Sequence, residues 1–209
     1  CTTRVQKPTI DDWKKLRRCV SWLIQTKDDP RIIGCKNLYE LFTWIDAAFA
    51  VHPNMRSQTG GAMSMGFGMV HCRSSKQKLN AKSSTEAELI GTSEYIPFNL
   101  WFVMFMREQG HEIKVNILFQ DNESTIKMLR NGRDSCTGNS RHIDIKHFFV
   151  KDKIDKKEIE VKWCPTHLMI ADYFTKPLQG KQFKLFRDLI MGYMHINDFL
   201  KEIDRSIKE

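Results

Sequence analysis

The sequence predicts an α/β fold in which a mixed five-stranded sheet carries helices packed on its faces. Two apolar runs of strand length stop at carboxylates, Leu41 to Ile45 at Asp46 and Val115 to Phe119 at Asp121. Between them, Gly60–Gly61 and the Gly66/Gly68 pair punctuate further short runs, and beyond Asp121 helical and strand patterns alternate. Glycine-marked links call for antiparallel strands in the first half, while alternation calls for parallel strands joined by crossovers in the second.

The elements follow in order. Thr9 with Asp12 makes a capping box, and Trp13, Leu16, Val20 and Leu23 then recur at helical spacing until about Gln25. Asp28–Asp29–Pro30 ends this lead-in. The strand at Leu41 to Ile45 comes next; Gly60–Gly61 opens a second run, Ala62 to Phe67, and a third starts near Met69. A long helix covers Ser83 to Glu108, with Leu89, Thr92, Ile96, Leu100 and Val103 on one face and a kink or break expected at Pro97. After the strand at Val115 to Phe119, Asn122 to Leu129 is helical, Asn131 to Ser140 is a loop, and His142 to Ile154 reads as a basic amphipathic helix. Ile159 to Trp163 is the last strand, and Pro165 opens the turn into a helical stretch containing Asp172. Ile196, Phe199, Leu200, Ile203 and Ile207 then mark a short docking helix. These patterns divide the chain into a helical lead-in (1–40), a main domain (41–192) and a helical tail (193–209).

Bulk properties narrow the class. The 209 residues are 41% hydrophobic and 28% charged, which describes an ordinary globular chain. The apolar stretch at Leu100 to Met106 falls far short of the roughly 20 residues of a membrane span. The first residue is Cys1, in a polar run without the basic and apolar blocks of a leader, so a piece of a longer, non-secreted, intracellular chain is expected. A net charge of +8 favours polyanionic partners without specifying one. The cysteines at 1, 19, 35, 72, 136 and 164 form no Cys-x-x-Cys pair, and Cys164 with His167 has no second pair to complete a metal site. All are expected to be reduced thiols.

Chemistry concentrates on four acids at element ends or on a core-facing helix: Asp46, Glu88, Asp121 and Asp172. Carboxylates ending neighbouring parallel strands lie about 5 Å apart and repel one another at neutral pH. Hard divalent cations with oxygen ligands make such a cluster tolerable. Two magnesium ions about 4 Å apart would activate a water and stabilise the leaving oxygen in phosphodiester hydrolysis, and manganese suits the same ligands. Any one of these acids, taken alone, reads equally as a surface charge.

Five blocks, WIDAAFA, SKQKLNAKSSTEAELIG, LFQDNESTI, RHIDIKHFF and WCPTHLMIADYFTKPLQG, stand in this order. Together they resemble the ribonuclease H domain of copia-type retrotransposon polyproteins over about residues 41–192. The preceding PTIDDWKKLRRCVSWL resembles the connection from the reverse transcriptase. The resemblance implies a ribonuclease H-like fold and a carboxylate set of Asp46 in Ile-Asp-Ala, Glu88 in Ala-Glu-Leu, Asp121 in Gln-Asp-Asn and Asp172 in Ala-Asp-Tyr. Glu86 competes with Glu88, but two helical residues are about 200° apart, so both cannot face one metal pair. Glu88 is chosen because the motif places it directly before the first apolar helix residue.

Further positions follow from this frame. Ser84, Thr85 and Asn122 neighbour the carboxylates, where they would read 2′-hydroxyls in a shallow minor groove; helix capping is their plainer role. Lys76, Lys78, Lys82, Arg141, Lys146 and Lys151 are candidate phosphate contacts, each equally readable as a solvated charge. His142 and His147 lack the same-face spacing of a helical metal pair. His167 precedes Asp172, where a proton shuttle is useful, although related cellular enzymes carry their histidine farther upstream in a longer loop.

The expected function is a ribonuclease H that cuts the RNA strand of RNA–DNA hybrids, with two Mg2+ ions (or Mn2+) and an upstream reverse transcriptase as partner. The rivals are a non-catalytic nucleic-acid-binding remnant, a structural spacer beside a polymerase, and a DNA-cutting integrase of the same general fold.

Overall fold

The computed structural model describes residues 5–131 and 149–208, with the side chains of 207 and 208 left aside. Cys1, Cys136, Arg141, His142, Lys146 and His147 lie outside the described residues. The chain divides into two units, 1–31 and 32–209.

In the first unit, helix α1 runs Ile10–Gln25. The Thr9 hydroxyl accepts from the Asp12 amide at 3.3 Å, and the Asp12 carboxylate accepts from the Thr9 amide at 2.9 Å, so the expected capping box is present. No residue of α1 is buried, and Trp13, Leu16, Val20 and Leu23 are all exposed.

In the second unit, strands β1 (Gly34–Cys35) and β4 (Gly66–Phe67) pair as a small ribbon. The main sheet contains β2 (Glu40–Ala48), β3 (Gln58–Ser64), β5 (His71–Lys76), β6 (Val115–Gln120) and β7 (Glu160–Trp163), ordered β5-β3-β2-β6-β7. β5, β3 and β2 pair antiparallel; β2, β6 and β7 pair parallel. This is the mixed five-stranded sheet expected from the sequence. Helix α2 (Ser84–Glu108) precedes β6, helix α3 (Glu123–Asn131) follows it, and residues 149–155 are helical before β7. Helices α4 (Gly180–Met191) and α5 (Ile196–Lys208) close the chain.

β2 is the central strand, and its alternation builds a core on each face. Phe42 and Trp44 pack with Phe119, Met169, Phe186 and Phe199 on one side, where Trp44 stacks on Phe119 at 5.0 Å between ring centroids. Leu41 and Ile45 pack with Leu89, Ile96, Leu118 and Leu129 on the other. Ile196, Phe199 and Ile203 of α5 belong to the first core, so the tail helix docks on the same unit. Beneath α2, buried Asn99 donates to Thr43 Oγ1 at 2.9 Å and exchanges two 2.8 Å bonds with Asn116.

Five expectations shift. Gly60 and Gly61 lie inside β3 rather than opening a strand at Ala62, and the third run begins at His71 rather than near Met69. Asp46 lies within β2, which runs two residues past it to Ala48. Pro97 does not break α2, which is continuous from Ser84 to Glu108; the ring lies on the exposed side, where the missing N–H is of little consequence. Asp172 sits in a 3-10 turn, Ile170–Phe174, not an α-helix.

Candidate active site

The parallel pairing of β2 with β6 sets the site. Their last register pair is Trp44–Phe119, and both Asp46 and Asp121 lie two residues beyond it, at the carboxyl ends of adjacent strands. Such strand ends are where open α/β sheets place their ligand sites. α2 brings the third acid: Ser83 caps the helix by accepting from the Glu86 amide at 3.1 Å, and Glu88 follows one turn later, almost fully buried at 5% exposure.

Asp46, Glu88 and Asp121 each present a carboxylate oxygen within 4.8 Å of the others. Glu88 Oε1 accepts from the Ala47 amide at 3.1 Å, and its Oε2 accepts from Gln120 Nε2 at 3.3 Å. Gln120 Oε1 in turn accepts from the amides of Asp121, at 2.9 Å, and Asn122, at 3.1 Å. One amide side chain thus fixes both the helix carboxylate and the chain leaving β6. Trp163 Nε1 adds a bond to the Asp121 carbonyl at 3.2 Å.

Glu86, the alternative helix acid, points elsewhere: its Oε2 accepts from the Lys82 amide at 2.7 Å at the start of α2. Glu88 is the helix acid that meets Asp46 and Asp121.

Asp172 lies outside this three-acid group and is linked to Asp46 through Lys176, in the turn after β7. Lys176 Nζ lies 2.7 Å from Asp172 Oδ1 and 3.7 Å from Asp46 Oδ1, and the Thr175 hydroxyl donates to Asp46 Oδ2. Gly60 makes this approach possible. It is the register partner of Asp46, and a Cβ there would lie 2.7 Å from Thr175 Cγ2 and 2.8 Å from the Ala171 carbonyl. On the opposite face a Cβ at Gly61 would enter the Tyr95 ring of α2.

The electrostatics are those of charge crowded away from water. Burial first, and the charge of Asp46 second, hold the Glu88 carboxyl well above its ordinary range. The same two causes raise Asp121 and push Asp172 up to about 6. For Lys176 burial opposes the charge, but Asp46 and Asp172 outweigh it and the ammonium is strengthened. Among the described residues Glu88 and Asp121 form no ion pair, although the Lys176 charge acts on Asp121 from a distance. Oxygen-only donors converging in this way are the ligand chemistry of a hard divalent cation.

The remaining sequence candidates are dispersed. Ser84 is exposed and Thr85 half-buried in the first turn of α2. Asn122 caps α3, its Oδ1 accepting from the Thr125 amide at 3.0 Å. Lys76, Lys78 and Lys82 are exposed, while Lys151 pairs with Asp155 at 2.7 Å. His167 is exposed, in the 3-10 turn Thr166–Leu168 before Asp172. Sequence reasoning missed Gln120, Thr175 and Lys176. The last two stand within the ADYFTKPL block, and Lys176 follows Asp172 by four residues, a spacing that marks an acid–base pair on a helical turn.

No family model matches the chain. It is 26% identical over 194 residues to the Retrovirus-related Pol polyprotein from transposon TNT 1-94 of Nicotiana tabacum, covering 92% of this chain and 14% of that protein. It is 29% identical over 160 residues to the Transposon Ty1-NL2 Gag-Pol polyprotein of Saccharomyces cerevisiae, covering 77% of this chain and 9% of that one. The chain therefore spans only a small fraction of these relatives, and the expected similarity to retrotransposon polyproteins holds. Among solved structures, LC11-RNase H1 isolated from compost aligns at 11% identity with a TM-score of 0.48, covering 65% of this chain and 92% of that one.

Proposed function

We propose that this chain is a metal-dependent endonuclease that hydrolyses the RNA strand of RNA–DNA hybrids, as the ribonuclease H part of a retrotransposon polyprotein. The observation that carries the reading is the convergence of Asp46, Glu88 and Asp121, from β2, α2 and the end of β6, with carboxylate oxygens within 4.8 Å and no ion pair on Glu88 or Asp121 among the described residues. A surface cluster would keep its acids hydrated and apart, whereas here folding holds two of the three almost fully buried against their mutual repulsion. The sequence relatives are polyproteins of reverse-transcribing transposons, which supports a hybrid as substrate and an upstream reverse transcriptase as partner.

Asp46, Glu88 and Asp121 would hold one cation, and Asp46 with Asp172 a second. Two magnesium ions, or manganese in their place, would lower the pKa of the attacking water and neutralise charge on the scissile phosphate. The protein's contribution is positioning. Gln120 and the Ala47 amide orient Glu88, and Thr175 orients Asp46, so the ligand oxygens are fixed before substrate arrives. Ser84 and Thr85, in the first turn of α2, would face the minor groove and its 2′-hydroxyls, and Asn122, which caps α3, would join them there. No helix among the described residues is long and apolar enough to cross a membrane, and an intracellular setting follows from the proposed role.

The test is cleavage of a hybrid with labelled RNA, with magnesium or with EDTA, beside the Asp121→Asn variant. Metal-dependent RNA cutting that the variant loses supports the proposal. Binding of the hybrid by both proteins without cutting, in magnesium or manganese, makes the chain a non-catalytic binder. Cutting of duplex DNA without any hybrid requirement makes it the integrase-like alternative.

A further inference from the structure

On the proposed metal reading two cation positions would share Asp46, and their surroundings are not equivalent. At the first, Asp46, Glu88 and Asp121 converge and no basic side chain contacts Glu88 or Asp121 among the described residues. At the second, between Asp46 and Asp172, a positive charge already stands: the Lys176 ammonium, 2.7 Å from Asp172 Oδ1 and 3.7 Å from Asp46 Oδ1.

That ammonium is held from both ends. Its own amide donates to the Asp172 carbonyl at 2.8 Å, closing the turn that carries both residues. The neighbouring Thr175 hydroxyl bonds Asp46 Oδ2, so this turn engages both oxygens of Asp46. The turn itself is seated against the bare backbone of Gly60, and Ser74 Oγ adds a 2.6 Å bond to the Phe174 carbonyl. Yet the Lys176 side chain remains 38% exposed, so it can swing into solvent without unfolding the turn. A lysine is a flexible point charge with no preferred coordination geometry, which suits it to occupy a cation's place reversibly.

We propose that Lys176 is a tethered cation filling the Asp46–Asp172 position, so that the free protein takes one divalent ion on Asp46, Glu88 and Asp121 and admits a second only by displacing the lysine. This rests on the metal reading of the site and adds an order of occupancy to it. Lys176 is a positioning residue here: it acts on Asp46 and Asp172, not on substrate. The electrostatic cost of leaving two buried carboxylates side by side is met by a single charge until a doubly charged ion replaces it.

The experiment is a manganese titration of the whole chain, reading free Mn2+ by electron paramagnetic resonance, for wild type, Lys176→Met, Lys176→Gln and Lys176→Arg. The wild type and the Arg variant should show one tight site and a weak second one. The Met and Gln variants should tighten the second site by about tenfold or more, the effect of removing one charge-assisted contact. In EDTA these two should also melt below wild type, and manganese should restore them by more than it shifts wild type. A second site unchanged in both neutral variants overturns the role of Lys176 while leaving the first site intact. If wild type takes up no manganese, or as much after Glu88→Gln, the metal reading fails and the proposal falls with it.

Discussion

Gly60 lies directly across the β2–β3 ladder from Asp46, and its missing side chain is the space into which the Ala171–Thr175 backbone settles. A carboxylate of the proposed metal site is therefore matched to a glycine whose φ is ordinary and whose purpose is closeness. Gly60→Ala would set a Cβ 2.7 Å from Thr175 Cγ2, 2.8 Å from the Ala171 carbonyl and 2.9 Å from Phe174 Cβ. Two of these three neighbours belong to side chains of an anchored turn and one is backbone, so relief requires the turn to move. The expected outcome is a loss of about 1–3 kcal/mol by urea denaturation, with a larger fall in hybrid cleavage than the stability loss explains. A variant as active as wild type would show that the turn adjusts without disturbing Asp46.

Removing a carboxylate should separate stability from activity. Burial and the charge of Asp46 raise both Glu88 and Asp121, so their ionised forms strain the metal-free fold. Glu88→Gln and Asp121→Asn should unfold in EDTA at urea concentrations equal to or above that of wild type. Hydrolysis of the hybrid should fall by about a hundredfold or more. Variants that are both less stable and normally active would mark these acids as structural.

The elevated Asp172 carboxyl gives a pH dependence of defined sign. Burial and Asp46 push it to about 6, above its unfolded value, so between ordinary carboxylate pH and pH 6 the folded state binds more protons than the unfolded state. Its stabilising share is complete at low pH and is lost as pH rises through 6. In EDTA, wild type should therefore lose stability relative to Asp172→Asn between pH 5 and pH 7.5, as read by urea midpoints. Magnesium should offset that loss at pH 7.5 and have little effect at pH 5, where the ligands compete with protons. A difference between the two proteins that is flat with pH would contradict the assignment.

The Asn99–Asn116–Thr43 network offers a control away from the chemistry. Asn99 is 2% exposed, and its amide meets both partners at 2.8–2.9 Å. Asn99→Ala strands Asn116 and Thr43 in the core, and a loss of about 2–3 kcal/mol is expected in urea denaturation. These bonds lie toward the start of β2, several residues before Asp46, so manganese affinity of the folded variant should match wild type. Weakened manganese binding would couple this network to the site.

How far the sequence could be read depends on which signals are local. Apolar runs located β2, β6 and β7, and the capping box at Thr9 and Asp12 located the first helix, because each is written within a few consecutive residues; β3 and β5 were found only with shifted bounds. Gly60 and Gly61 were misplaced at a strand boundary because in sequence a glycine pair reads as punctuation. Their role as close-approach points depends on Thr175 and Tyr95, which only the folded chain brings near. The carboxylates could be named from their motifs. The Thr175 bond to Asp46, by contrast, spans 129 residues and has no periodicity to announce it. Gln120, one residue before Asp121, carries no local signal, because its role lies in bonds to Glu88 and to the Asp121 amide that only the fold assembles.

The glycine pair also sets how closely the elements on either face approach β3. Where β3 passes the site, Gly60 bares one face to the turn carrying Asp172 and Gly61 bares the other to Tyr95 in the helix carrying Glu88. Along this line the gauge between the two layers is the thickness of a polypeptide backbone, a spacer of fixed bond lengths with no rotamers to change. Substitutions that swell or shrink the Trp44 core or the Ile45 core will bend the layers elsewhere before they alter this gap. Substitutions in either core can thus accumulate while this backbone-wide gap keeps its dimension.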